Sequence, residues 1–384
     1  MHAKTFLHKL LGNSIHQARI KLLICAVDAV IKTKTLKLSA LGRALELPIQ
    51  ERSGIRKIDR LLGNVYFQER NHEIYKAIIR VVVGSKTRPV VIIDWTKLPN
   101  VNEYGLRAAI AMEGRAITLY EEVHPKKKEG NRQVHQQFLR CLKALLPPEC
   151  KPIIVTDAGF KNPWFKEVLK LDWDYIGRVR GRTQYDGGRG YKPCASLHKE
   201  AQTTPLFLGE KTLSKKNALL TNFYIVKQKL KGRKRHTKNG KVSVHKDSKS
   251  YSKSYREPWL LVSSLKGYFM AKKVVTIYKQ RMTIEEGFRD MKSQQYGFSM
   301  EENKTLKRKR LLVWLLIAAL ASLLAWIVGY TSEKNGIHYQ FQINTIRHRR
   351  VLSFFYLGCQ VIRKRLAIPI DLSIFNTMGE GAYA

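Results

Sequence analysis

Acidic residues are scarce in this chain: 30 Asp+Glu stand against 70 Lys+Arg over 384 residues, a formal net charge of +40. A compact body with that excess repels itself, and a polyanionic partner is the usual reason to keep it. Nucleic acid is the first candidate and a membrane surface the second; a ribosomal or chaperone-like role is the blander alternative. Cysteine is sparse as well. Cys25, Cys141, Cys150, Cys194 and Cys359 are odd in number, scattered and never in C-x-x-C spacing. That argues against a zinc ribbon or a disulfide scaffold and fits a reducing cytosol. The opening MHAKTFLHKLLGNSIHQARIKLL lacks the uninterrupted apolar core and small-residue cleavage site of a signal peptide.

What is present is a chain 44% hydrophobic, able to bury a sizeable core in about two or three domains. One stretch stands apart: Leu311 to Tyr330 carries no charge and follows Lys307-Arg308-Lys309-Arg310. By length and flanking charge it qualifies as a membrane span. The other reading is a helix buried on nearly all sides. The buried helix is expected, because no second span exists and a lone late span would pull the helix upstream of Met300 against the bilayer.

Residues 1–80 read as a helical, basic, helix-turn-helix-like domain. Ser39 to Leu45 forms one short helix with Ser39 as N-cap, and Ser53 opens a second over 54–62 with Gly63 at C′. Arg56, Lys57 and Arg60 lie off the apolar face of Ile55, Ile58 and Leu62. Such a pair places a basic helix on DNA, while an ordinary hairpin with solvated charges is the alternative. Over 81–185 the apolar runs Pro89 to Asp94 and Pro152 to Asp157 read as buried strands. Leu106 to Val123 reads as a hairpin with a Gly-Arg turn, Val134 to Leu145 as a helix, and Tyr175 to Val179 as another strand. Residues 186–265 turn β-rich around a basic loop from Lys227 to Arg256. Residues 266–335 return to helix, continuous from Lys272 to Ser293, and 336–384 form a C-terminal helical region. The expected class is α/β: a mixed sheet covered by helices and interrupted by a β-rich insertion.

Asp94 and Asp157 each end an apolar strand, the edge where ligand sites form in α/β sheets. One such Asp is most often a turn or cap residue; two at one edge are a stronger signal. Carboxylates gathered on a basic protein repel unless a hard divalent cation neutralises them. On a helix at about 100° per residue, Tyr278, Arg281, Glu285 and Lys292 share one narrow stripe beside the apolar stripe of Ile277, Ile284, Phe288 and Met291. Glu286 and Asp290 turn towards solvent, which selects Glu285 as the third carboxylate. The alternative is a solvent-side ion pair of little worth. Two ions about 3.5–4 Å apart, held by Asp94, Asp157 and Glu285, would activate an attacking oxygen and stabilise a leaving one. Tyr278, Arg281 and Lys292 would then grip phosphates.

The pattern Y-x2-R-x3-E-x6-K at Tyr278, Arg281, Glu285 and Lys292 resembles the signature of the insertion-sequence-four family of bacterial DDE transposases. The segments IDRLLGN, VIIDWT, LYEE, VTDAGF, RVRG and EPWLL carry the resemblance over nearly the whole chain. It implies an RNase H-like, retroviral-integrase-like catalytic fold and dependence on two Mg²⁺ ions, with Mn²⁺ able to substitute. It also implies a homodimer that synapses terminal inverted repeats of double-stranded DNA, and cut-and-paste transposition into target DNA through hairpins. The setting implied is the bacterial cytoplasm, at the nucleoid, with no membrane partner. Asp94, Asp157 and Glu285 match the metal ligands, and Tyr278, Arg281 and Lys292 match residues that hold phosphates around a flipped base. Trp259 matches the aromatic that stacks on that base; its alternative is a core tryptophan. Met282 stands where some relatives carry a second Trp. Three rivals remain: a nuclease that cuts without joining, a DNA-binding repressor, and a single-span membrane protein.

Overall fold

The computed structural model describes residues 3–12, 16–180, 183–228, 241–245, 248, 257–343, 345–346, 348–370 and 372–377. The chain divides into two compact units, Met1–Cys150 with Met282–Ala384, and Lys151–Arg281.

In the first unit, β1 (Val90–Lys97), β2 (Glu103–Met112) and β3 (Arg115–Pro125) form an antiparallel meander. Val90 to Ile93 are all buried, as the unbroken β-branched run predicts for a strand covered on both faces. The hairpin turn is Glu113-Gly114, with Gly114 at φ +71°, one residue earlier than the expected Gly-Arg turn. A left-handed backbone there favours glycine. The helix Arg132–Leu145 opens on Asn131, whose side-chain oxygen accepts from the Val134 N–H at 3.1 Å.

The apolar segment is the helix Arg308–Lys334. By length and composition it could cross a membrane, with mean hydropathy 2.7, yet 89% of its most apolar stretch is buried inside the fold. Its neighbours are the helices Phe354–Arg363 and Gln17–Thr33 and strand β3. Two glycines set the closest approach. A Cβ on Gly358 would overlap the Ala325 carbonyl oxygen, and one on Gly329 would overlap the Phe354 carbonyl oxygen. Both obstacles are helix backbone and cannot step aside. Gly358→Ala is therefore expected to lose about 1–3 kcal/mol of stability or more, read by denaturant unfolding. An unchanged midpoint would mean the two helices separate freely.

Two short helices, Leu38–Arg43 and Glu51–Gly63, occupy the N-terminal region. Ser39 and Ser53 are not their caps: Lys37 and Gln50 precede the first turns, without side-chain capping bonds. Gly63 is the last helical residue rather than the one beyond it, and Asn64 follows it and caps the next helix, Val65–Glu69.

In the second unit, β4 (Ile153–Thr156), the helix Asn162–Lys170 and β5 (Asp174–Val179) make a parallel βαβ unit, with Pro163 in the helix's first turn. The sheet continues through β10 (Trp259–Ser263), β9 (Leu219–Val226), β8 (Leu206–Leu213), β6 (Gln184–Asp186) and β7 (Tyr191–Pro193). The β-rich segment thus extends the sheet that β4 and β5 begin, giving a mixed sheet with flanking helices. Most of the basic loop from Lys227 to Arg256 lies outside the described residues.

The expected continuous helix from Lys272 to Ser293 is two helices, Met270–Lys279 and Met282–Lys292. Between them Gln280 and Arg281 form a turn, with N–H bonds to Ile277 and Tyr278 at 3.0 and 3.1 Å. These bonds span three residues, tighter than the α-helical four, so a single 100° wheel does not run from Tyr278 to Lys292.

Candidate active site

Asp94 does not end its strand. It is the fifth of eight residues in β1, half-buried, paired across the ladder with Arg107 of β2, and its Oδ1 accepts from the Trp95 N–H at 2.9 Å. Pairing with β2 up to Lys97↔Tyr104 carries the strand past it. The same stretch of β1 anchors Lys292, whose Nζ donates to Thr96 Oγ1 at 2.6 Å. Burial, seconded by the Arg107 guanidinium, pulls the Lys292 pKa down to about 8, while Glu301 and Asp94 pull it up. Such a lysine is poised to gain from an anion. Trp95, beside Asp94, donates its indole N–H to Nε2 of buried His135 at 3.1 Å, and burial drops that imidazole to about 4, keeping it a neutral acceptor.

Glu285 stands exposed on the helix Met282–Lys292, one turn from its start and seven residues before Lys292. Two arginines dock that helix on the meander. Arg107 donates to Glu121 Oε1 at 2.5 Å, reaches Met291 Sδ at 3.4 Å and lies 4.7 Å from the Phe288 ring centroid. Arg115 of β3 holds Asp290 through bonds of 2.5 and 3.3 Å. Asp290 is therefore buried rather than turned to solvent: the Arg115 partner supplies what water would have supplied. Burial raises its carboxyl to about 6 even against Arg115. Glu286 alone of that pair stays on the outer side, ion-paired with exposed Arg289 at 2.9 Å.

In the second unit, Asp157 directly follows β4, as expected. Its Oδ1 accepts from the Gly159 N–H at 2.8 Å, an Asx-turn that fixes the carboxylate at the strand end. Tyr278, at the C-terminal end of Met270–Lys279, is buried, and burial is the main cause that lifts its pKa, with Arg281 and Arg178 lowering it and Asp157 raising it. Trp259, half-buried at the start of β10, meets the Tyr278 ring edge-on at 5.0 Å. Asp157, Tyr278, Arg281 and Trp259 are thus gathered within this unit.

Arg178 joins them and was not singled out from the sequence. It sits in mid-β5 opposite Leu261, and its Nε is buried without a hydrogen-bond acceptor among the described residues. Burial lowers its pKa, with Tyr278 and Glu257 opposing. The available signal was period two in Arg178-Val179-Arg180, which puts two arginines on one face of a strand that is otherwise buried.

Arg56, Lys57 and Arg60 are all exposed on Glu51–Gly63, while Gly54, Ile58, Leu61 and Leu62 are buried. Among the described residues, no group of three His, Cys, Asp or Glu side chains stands together to hold a metal ion.

A solved cryo-EM structure of the piggyBac transposase synaptic complex with hairpin DNA is similar to this chain. The TM-score is 0.42 and the identity 14%, over 98% of this chain and 80% of that one. Among curated proteins none matches. The family model described as "Transposase DDE domain" matches residues 85–324, a stretch that includes Asp94, Asp157, Trp259, Tyr278, Arg281, Glu285 and Lys292. Because that match covers more than half of the 384 residues, the chain belongs to the transposase DDE-domain family.

Proposed function

We propose that this transposase, of the insertion-sequence-four branch, carries out cut-and-paste transposition through an RNase H-like catalytic domain that depends on two Mg²⁺ ions. The family match, enclosing an aspartate on β1, another in the turn after β4 and a helix-borne glutamate, supports the reading. Asp94, Asp157 and Glu285 are hard oxygen donors, the chemistry Mg²⁺ prefers, with Mn²⁺ as a substitute. Bound there, the ions would activate the attacking oxygen and neutralise the leaving one.

The chain's own groups do the rest. Arg281 and Arg178 offer guanidinium forks to phosphate oxygens, Tyr278 a hydroxyl, and Lys292 an ammonium that phosphate would hold charged. Trp259 offers an indole face to a base extruded from the duplex, restoring part of its stacking. Partners would be the terminal inverted repeats, target DNA and a second copy of the chain, in the bacterial cytoplasm. The test is linear DNA carrying the element's own ends, incubated with Mg²⁺ and resolved on a denaturing gel. Nicks that mature into hairpins and then into joined products are expected. Breaks without joining would make it a nuclease, and binding without breaks a repressor.

Replacing Arg56, Lys57 and Arg60 together with Gln is expected to weaken binding to the terminal repeats. It should also reduce the slope of log affinity against log salt by about 0.9 for each phosphate that these side chains neutralise in the wild type. An unchanged slope would remove this helix from the interface.

A further inference from the structure

The loop and helix after β10 present a surface that the proposed active site does not use. Phe269 is 95% exposed and Tyr268 68% exposed, their rings edge-to-face at 6.0 Å. Fully exposed phenylalanine leaves an apolar face in water with no local gain. The presentation is also firm. Buried Tyr224 donates its hydroxyl to the Leu265 carbonyl at 2.7 Å, the Leu265 N–H bonds Ser263 Oγ at 3.1 Å, and Gly267 takes φ +120° to bring the chain round. The Met270 and Ala271 N–H groups then bond Gly267 and Tyr268 at 3.2 and 3.1 Å, opening the helix Met270–Lys279 directly behind the two rings.

Along the chain, the charge that follows β10 is of one sign, although Asp174 accepts from Ser264 Oγ at 2.7 Å just before it. From Leu265 to Gln280 the chain carries Lys266, Lys272, Lys273 and Lys279 and no acidic residue. Lys272 and Lys279, seven apart, lie exposed on one helix face with Thr276 between them, opposite the buried Ala271, Val274, Val275 and Ile277. Lysine is depleted at protein–protein interfaces, so a second protein is a poor fit. Flat rings beside ammonium groups match nucleic acid, where bases offer π-faces and phosphates offer charge. A paired, stacked duplex hides its base faces, so the ring's partner is a base left open by distortion or unpairing.

We infer that Phe269, supported by Tyr268 and followed by the exposed Lys272 and Lys279 of the helix behind it, is a stacking contact for an unpaired or unstacked base of bound DNA. It is separate in the chain from Trp259. The inference rests on the DNA-binding reading above.

The test compares the full chain with Phe269→Ala, Phe269→Leu and Phe269→Trp on two oligonucleotides of one sequence, fully paired or with a mismatched bubble. Phe269→Ala is expected to weaken bubble binding by about tenfold and paired binding far less, at an unchanged salt slope, since stacking on one base is sequence-tolerant and carries no charge. Phe269→Trp should restore affinity and Phe269→Leu should not. Lys272→Gln with Lys279→Gln should flatten the salt slope on both DNAs. Equal binding of both DNAs by wild type and Phe269→Ala overturns the proposal, as does full rescue by leucine. A shift in oligomeric state by light scattering, with DNA binding intact, assigns the surface to a second copy and also overturns it. Failure of the wild type to bind either DNA sinks the DNA-binding reading itself, a result distinct from the others.

Discussion

Glu285→Gln is expected to abolish DNA cleavage while leaving DNA binding intact. A carboxylate that holds a catalytic cation contributes several kcal/mol of charge stabilisation, so a neutral amide should slow the chemical step by about 10³-fold. Glu285 is exposed and Gln keeps its size, so the variant should melt close to the wild type. Asp94→Asn should behave in the same way in cleavage, whereas Glu286→Gln, next along the helix and ion-paired outward with Arg289, should cleave normally. Single-turnover cleavage beside a mobility shift reads both quantities. Cleavage at wild-type rate by Glu285→Gln would remove the glutamate from the chemistry.

The second large effect belongs to stability. Arg107 and Glu121 form a buried pair, 5% and 0% exposed at their side chains, at the point where the helix of Glu285 meets the sheet. Burial raises the Glu121 pKa, and the Arg107 guanidinium opposes that rise. Removing one partner leaves the other buried and uncompensated, so Arg107→Met should cost about 3–5 kcal/mol. Arg107→Met combined with Glu121→Leu should recover most of the loss, because two apolar groups need no partner. Denaturant unfolding of the singles and the double forms the cycle. A double variant no better than the worse single would show that the arginine works through Met291 and Phe288 instead of through charge.

The strands were legible because their cause is local. Val90 to Ile93 and Ile153 to Thr156 are short apolar runs with a β-branched majority, and Asn162-Pro163 marks a helix start by its own backbone preference. The apolar helix was legible as a core element only by arguing against a span, and the glycines that pack it were silent until Phe354–Arg363 lay beside it. What stayed hidden depends on distant partners or on subtle geometry. Asp290 is buried by Arg115, 175 residues away, and nothing near Asp290 announces that. The break at Gln280 carries no glycine or proline; Gln280 remains at φ −64°, ψ −21°, so only the hydrogen-bond span changes. Asp94 was placed at a strand end because the apolar run stops there, whereas pairing with β2 carries the strand on to Lys97. Arg178 was visible as a letter and invisible as a neighbour of Tyr278.

We propose above that Asp94, Asp157 and Glu285 together hold divalent metal. Replacing Mg²⁺ with Fe²⁺, adding ascorbate and peroxide, and mapping the backbone breaks by mass spectrometry tests it without relying on activity. Iron bound by these carboxylates should cut the chain beside residues 94, 157 and 285, with all three sets of fragments suppressed by excess Mg²⁺ and diminished together in Asp157→Ala. Cuts elsewhere, or cuts at 94 and 285 that Asp157→Ala leaves unchanged, would contradict a shared metal centre.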